Sequence, residues 1–174
     1  MTSSLVTIVL RLIHILSGVF WVGGILFLAR FLFPTAMALG PAAGPVMDHL
    51  TRVRRLPQIL LGAGLITVLS GFTLYWRDSA AAGPAWMSSP TGMVFGTGAV
   101  FAILAIVIGL TINMPTAKRL GELMASIQAS GSPPSPEQRG TLQALQARLG
   151  SAIRAVATLL VLATAAMAVA RYAG

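Results

Sequence analysis

Long apolar segments alternate with short polar or Pro/Gly-rich stretches along this chain. The first, from Leu5 to about Phe33, exceeds the roughly 20 residues that a helix needs to cross a bilayer. Three further apolar segments follow it. The pattern predicts an all-α fold, a four-helix transmembrane bundle that forms a single domain over residues 1–174. We expect the spans at about residues 5–33, 56–76, 91–113 and 153–172.

Polar residues of the first span fall on one face. At about 100° per residue, one stripe holds Arg11, His14, Gly18, Trp21 and Ile25, and Gly24 lies at its edge. Because lipid offers no partner to a guanidinium or an imidazole, we expect the stripe to face the bundle interior. Gly18 and Gly24 leave the backbone accessible to a neighbouring helix or to a flat ligand.

Proline and glycine residues follow the first span. They predict that the helix ends near Pro34 and that a loop follows at Gly40-Pro41 and Gly44-Pro45. The polar segment 46–55 is expected to form the first turns of the second helix, where Pro57 introduces a kink that a membrane helix tolerates.

The second span carries a small-residue face of the kind by which membrane helices pack, formed by Gly64, Thr67 and Gly71. Its segment LSGFTLYW at 69–76 resembles LSGVFWVG at 16–23. The two spans run in opposite directions, which leaves an inverted repeat as an alternative. We interpret the likeness as a packing motif that recurs by chance.

The third and fourth spans are expected to continue outside the membrane as an antiparallel helical hairpin at about residues 115–152. Pro115 bends or ends the third span, and residues 118–129 form an amphipathic segment. Ser135 is a good N-cap, Pro136 suits the first helical position and Gln138 completes a capping box. From there a helix can run unbroken to about Tyr172.

Composition supports a membrane protein. Of the 174 residues, 56% are hydrophobic and 9% are charged, whereas about a quarter of the residues of a soluble domain are charged. The net charge of +8 comes from cations beside apolar segments, where they set membrane orientation, so nucleic acid is not an expected partner. The absence of cysteine excludes disulfides, thiolate metal sites and a cysteine nucleophile.

The cations cluster in two of the three predicted loops. Positive loops stay in the cytoplasm, so the distribution predicts that both termini lie outside a bacterial plasma membrane and that the hairpin is cytoplasmic. The loop between the second and third spans has only Arg77, beside Asp78. The cations of the other two loops are Arg52, Arg54 and Arg55, and Lys118, Arg119, Arg139 and Arg148.

His14 is the main candidate for chemistry, because a neutral imidazole is a good ligand for haem iron or copper. On the same face, Arg11 is placed to pair with a haem propionate, Gly18 to leave room for a porphyrin and Trp21 to stack on it. The alternative is that His14 hydrogen-bonds across helices and Arg11 extends to the outer head groups. His49 lies across the membrane from His14, so one chain cannot supply both to one metal.

Methionine is the remaining soft ligand. Met167 is predicted at the level of His14, where it would complete an axial pair for haem b or a copper site. Met93 and Met87 are the alternatives for copper(I). Core packing is the competing interpretation of all three residues.

The segment HILSGVFWVGGILFLARFLF at residues 14–33 resembles the first helix of the HemJ and CopD-like membrane families. The likeness covers about a fifth of the chain and rests on His14, Trp21, Gly23, Gly24 and Arg30. HemJ proteins are small helical membrane proteins that bind b-type haem and are implicated in protoporphyrinogen oxidation, and CopD-like proteins are linked to copper uptake. The resemblance implies a haem-ligand role for His14 and close packing at Trp21 and Gly24.

Two features separate the chain from the HemJ pattern. Pro34 and Thr35 stand where HemJ has a second histidine, and the single lysine, Lys118, lies beyond the third span, whereas HemJ uses an intramembrane lysine. The resemblance therefore favours a haem-associated role over the oxidase activity itself.

The leading functional hypothesis is a protein of the bacterial plasma membrane that binds b-type haem in a redox or haem-related role. A non-catalytic accessory subunit of a larger membrane complex and copper handling are the alternatives. The sequence holds no nucleophile–base pair, phosphate loop or nucleotide motif, so no enzymatic reaction is assigned. Lipid is the expected partner, and a second copy or a larger complex stays open.

Overall fold

The computed structural model describes residues 2–173, and the regular elements in that range are all helical. Four stretches of helix are long and apolar enough to cross a membrane: Ser4–Val53, Leu56–Ala82, Pro90–Ser130 and Pro136–Tyr172. This confirms the predicted all-α architecture with four long apolar helices, which is that of a multi-pass membrane protein.

Seven α-helices lie within the described range. They are α1 Thr2–Phe27, α2 Phe33–Leu39, α3 Gly44–Asp48, α4 Leu56–Ala82, α5 Pro90–Ile108, α6 Met114–Ser130 and α7 Pro136–Val169. Short π-helical turns occur at Leu28–Leu32, His49–Val53 and Gly109–Asn113, and 3₁₀ turns at Gly40–Ala43, Pro84–Ser88 and Ala170–Tyr172.

The bundle is built from two helix pairs. α1 packs along α4 and α5 along α7, and these are the most extensive helix interfaces. Contacts of α4 with α5 and of α1 with α7 join the two pairs. Side chains from all four helices form the core: Trp21, Ile25, Leu60, Ala105, Val156, Ala157 and Leu160. Large apolar side chains such as Leu16 and Phe72 stay exposed on the outside, as expected of lipid-facing residues.

The prediction that the first helix ends near Pro34 is wrong, since the chain stays helical to Leu39. Proline lacks an N–H, and its ring clashes with the carbonyl four residues before it. A π turn precedes Pro34, in which the N–H of Phe33 bonds to the carbonyl of Leu28. This wider turn accommodates the ring. Pro115 follows the π turn at Gly109–Asn113 in the same way and does not end the third helical stretch.

Residues 46–55 do not form the start of the second helix, contrary to the sequence-based expectation. They belong to α3 and the π turn that follows it, and the helix breaks at Arg54 and Arg55. Arg55 has a left-handed backbone with φ of 51°. α4 begins at Leu56 with Pro57 in its first turn, where the missing N–H breaks no helical hydrogen bond.

The start of α7 agrees with its prediction. α6 ends at Ser130, the following Gly131 has φ of 63°, and α6 packs against α7. The backbone N–H of Gln138 donates to Ser135 Oγ at 3.1 Å, and that of Ser135 donates to Gln138 Oε1 at 2.8 Å. The capping box is thus confirmed, and α7 runs unbroken to Val169.

Two neighbouring residues of α7 are expected to differ in how much they stabilise the fold, because one is buried in the core and the other is exposed. Leu160 is 1% exposed, whereas Val161 is 48% exposed. In lipid, an unfolded helix already faces apolar solvent, so a truncated core residue loses packing rather than hydrophobic transfer. We expect Leu160→Ala to lower the free energy of unfolding by about 1–2 kcal/mol, and Val161→Ala by less than about 0.5 kcal/mol. Thermal unfolding in one detergent measures both variants, and equal losses would contradict the described core.

Candidate functional site

His14 lies in α1, with its ring held against α4. Its Nδ1 is 2.8 Å from the backbone carbonyl oxygen of Thr67 and 3.4 Å from Ser70 Oγ. Because a carbonyl oxygen only accepts, Nδ1 carries the proton and donates. In the neutral imidazole, Nε2 then holds the lone pair, and it has no hydrogen-bond partner within residues 2–173. One ring nitrogen therefore binds α4, and the other is available to a ligand.

The His14 ring packs on Gly71. A Cβ added at position 71 would lie 2.6 Å from His14 Cε1 and 3.0 Å from Nδ1. The ring occupies this position only because residue 71 has no side chain. Next to it the two helices exchange roles, with the glycine on α1 and the larger side chain on α4. A Cβ added to Gly18 would lie 3.4 Å from the methyl carbon of Thr67.

Two further contacts continue this pattern toward the C-terminal end of α1. A Cβ added to Gly64 would lie 2.7 Å from Cε2 of Trp21, and one added to Gly24 would lie 2.5 Å from Cδ2 of Leu60. Trp21 is 4% exposed. The predicted interior position of Trp21 and the small-residue face of the second span are both confirmed.

α4 covers the surfaces that Gly18 and Trp21 were expected to offer to a porphyrin. Thr67 contacts Gly18, and the indole of Trp21 lies on Gly64. The sequence allowed either a neighbouring helix or a flat ligand at these two positions. The structure shows a neighbouring helix, α4.

Polar contacts link α1 to α4 above and below His14. Thr67 Oγ1 is 2.8 Å from Ser17 Oγ. Near the start of α1, Arg77 Nη2 donates to Thr7 Oγ1 at 3.2 Å. Ser17 and Ser70 are functional-site residues that the sequence pattern does not single out, although each holds the same place in the two LSG segments.

Arg11 lines a cleft at the end of the bundle where α1 begins and α7 ends. This terminal cleft is a shallow, open depression of about 460 Å³ that is also lined by Arg171. His14 follows Arg11 by three residues and Met167 precedes Arg171 by four. At a rise of about 1.5 Å per residue, both lie about one helical turn deeper than the cleft.

Met167 and His14 lie in different helix interfaces, so their pairing on one metal stays a prediction. The Cε of Met167 would be 3.0 Å from a Cβ added to Gly98 of α5. Met93 and Met87, the alternatives for copper, are 55% and 48% exposed.

His49 is exposed and lies before α4, at the end of that helix far from Gly71. Among the described residues, no group of three His, Asp or Glu side chains could hold a metal ion.

Comparison of the chain with protein-family models, with curated proteins and with solved structures finds no match in any of the three. The case for a function therefore depends on the geometry around His14 and at the terminal cleft.

The contact between His14 and Gly71 predicts a specific sensitivity to a methyl group. We expect Gly71→Ala to push the ring away from the Thr67 carbonyl and to lower the free energy of unfolding by about 1–3 kcal/mol. Gly62→Ala is the matched control, because nothing lies within 4 Å of a Cβ added there, and alanine is the better helix former. Thermal unfolding measures both. A neutral Gly71→Ala would contradict the described contact.

Proposed function

We propose that this chain is an integral membrane protein that binds b-type haem through Nε2 of His14 and has a redox or haem-related role. The observation that carries the proposal is the hydrogen bond from His14 Nδ1 to the carbonyl of Thr67. Histidines that ligate metals hold their other ring nitrogen in this way, because the bond fixes the ring and makes the ligating nitrogen more basic.

Three residues would contribute to such a site. Nε2 of His14 offers a lone pair, and Met167, which packs against α5, offers a thioether, which is a known partner of histidine on haem iron. Arg11, one turn toward the terminal cleft, offers a cation for a carboxylate. Trp21 and Thr67 fill the interface with α4, so the proposed site lies on a side of His14 away from that interface.

Haem, when bound, supplies one-electron chemistry at its iron. The part of the chain in this proposal is to hold the imidazole. Thr67 fixes the tautomer of His14, and Gly71 sets the position of the ring against α4. Met167 would be the second residue to hold the haem, and a thioether ligand would raise its reduction potential.

His14→Asn tests the proposal. The amide nitrogen of asparagine takes a place like that of Nδ1, so it can still donate to the Thr67 carbonyl, but no atom replaces Nε2. His49→Asn is the matched control. We expect the wild type and His49→Asn to show a Soret band with b-type α and β bands, and His14→Asn to hold at least about tenfold less haem per chain. A reduced-minus-oxidised spectrum with metal analysis on each sample gives the result.

Three outcomes would overturn the haem proposal. One is haem retained in His14→Asn, and another is a wild-type protein that stays colourless after haem is supplied. The third is stoichiometric copper that is lost in both His14→Asn and Met167→Leu, which would identify copper handling instead. An unfolding temperature of His14→Asn equal to that of the haem-free wild type shows that a loss of haem is not a loss of fold, since bound haem itself would stabilise the native state.

One observation favours an accessory subunit of a larger complex as the second candidate. Gly23 of α1 and Gly62 of α4 have nothing within 4 Å of an added Cβ. Small residues that are open to the outside of a bundle are where a further membrane helix can pack closely. Recovery of a colourless chain only within a larger assembly would favour this function over haem binding.

We also propose that both termini lie outside a bacterial plasma membrane and that the turn between α6 and α7 is cytoplasmic. The exposed cations Arg54 and Arg55 before α4, and Lys118 and Arg119 in α6, support this orientation.

The absence of native cysteine allows a direct test of orientation. Ser88 and Ser132 are exposed residues of the second and third loops. We expect a membrane-impermeant maleimide to label Ser88→Cys in intact cells and Ser132→Cys only after permeabilisation. The opposite pattern would reverse the proposed orientation.

A further inference from the structure

The terminal cleft brings together charged residues from three different helical stretches. Arg11 comes from α1, Asp78 from α4 and Arg171 from the 3₁₀ turn that follows α7. The cleft therefore contains two guanidinium groups and one carboxylate. It forms only when the four-span bundle closes, because Arg11 and Arg171 belong to opposite ends of the chain.

The charges in the cleft are not balanced. The two ion pairs found among the described residues lie elsewhere, between Arg52 and Asp48 and between Lys118 and Glu122. Two cations and one anion leave the cleft with a formal charge of +1. Guanidinium groups present planar sets of N–H donors that match the oxygens of a phosphate or a carboxylate.

One wall of the cleft is aromatic. Trp86 and Phe95 line it, with ring centroids 6.4 Å apart in a stacked arrangement. Tyr75 packs edge-on against Trp86 at 5.1 Å and donates its hydroxyl to the carbonyl of Gly92 at 3.3 Å. The wall is therefore fixed by its own contacts, and it places apolar surface beside the two arginines.

We infer that the terminal cleft is an oxyanion site that binds the phosphate of an anionic membrane lipid. A phosphodiester carries one negative charge, which matches the formal charge of the cleft. The aromatic wall suits the glycerol and the upper acyl chain, because tryptophan and tyrosine favour the level of the head groups. Asp78 repels a second negative charge and so limits the site to a singly charged head group.

The test compares two double variants in the full chain. Arg11→Gln with Arg171→Gln removes both guanidinium groups from the cleft. Arg139→Gln with Arg148→Gln removes the same charge from exposed positions of α7 outside it. Native mass spectrometry with phosphatidylglycerol and phosphatidylcholine measures lipid retention. We expect the wild type and the control variant to prefer phosphatidylglycerol, and the cleft variant to bind it about tenfold or more weakly.

Three further measurements test the role of Asp78, the source of the phosphate group and the independence from haem. Asp78→Asn is expected to raise the affinity for phosphatidylglycerol, because it removes the repelling charge. Equal retention of both lipids by the wild type, unchanged selectivity in the cleft variant, or full displacement of lipid by inorganic phosphate would overturn the inference. His14→Asn is expected to keep the lipid preference, so this inference and the haem proposal can fail separately.

Discussion

The close approach of α1 and α4 is the constraint on which the rest of the structure depends. Between helices in lipid there is no hydrophobic driving force, so association relies on packing and on hydrogen bonds. Here each helix offers glycine where the other offers a larger side chain, as at Gly71 beneath His14 and at Gly18 beneath Thr67. A register shifted by one residue would set these side chains against a Cβ, so the glycines fix how the helices align.

The contact has an approximate two-fold symmetry. In α1 the motif is His14-x-x-Ser17-Gly18, and in α4 it is Thr67-x-x-Ser70-Gly71. The first residue of each motif packs on the glycine of the other, and each serine lies within 3.4 Å of the first residue of the partner motif. This shared packing role accounts for the likeness of the two LSG segments. The symmetry is broken by the imidazole of His14, which occupies the place of a threonine hydroxyl.

Sequence alone was sufficient for features that depend on local composition. The apolar segments predicted four long helices, and Ser135 with Gln138 predicted the start of α7. It was insufficient at Pro34, because proline ordinarily ends a helix and the π turn that accommodates it here is a rare element. It also left the neighbour of Gly18 open, since a helix and a flat ligand both require a residue without a side chain. The terminal cleft was missed because it exists only after the bundle closes.

Packing of α1 against α4 gives a role to Nδ1 of His14, which bonds to the Thr67 carbonyl, but gives none to Nε2. A donor to the Thr67 carbonyl is all that the helix pair requires, and a threonine or an asparagine supplies such contacts without a second polar atom. In an apolar setting a polar atom without a partner costs about 1–3 kcal/mol, and polar groups inside a membrane are kept where they have a task. Nε2 of His14 has no hydrogen-bond partner among the described residues. The bond from Nδ1 to the Thr67 carbonyl leaves the lone pair on Nε2, so the ring orientation that packing requires is also the one that the proposed ligand would require.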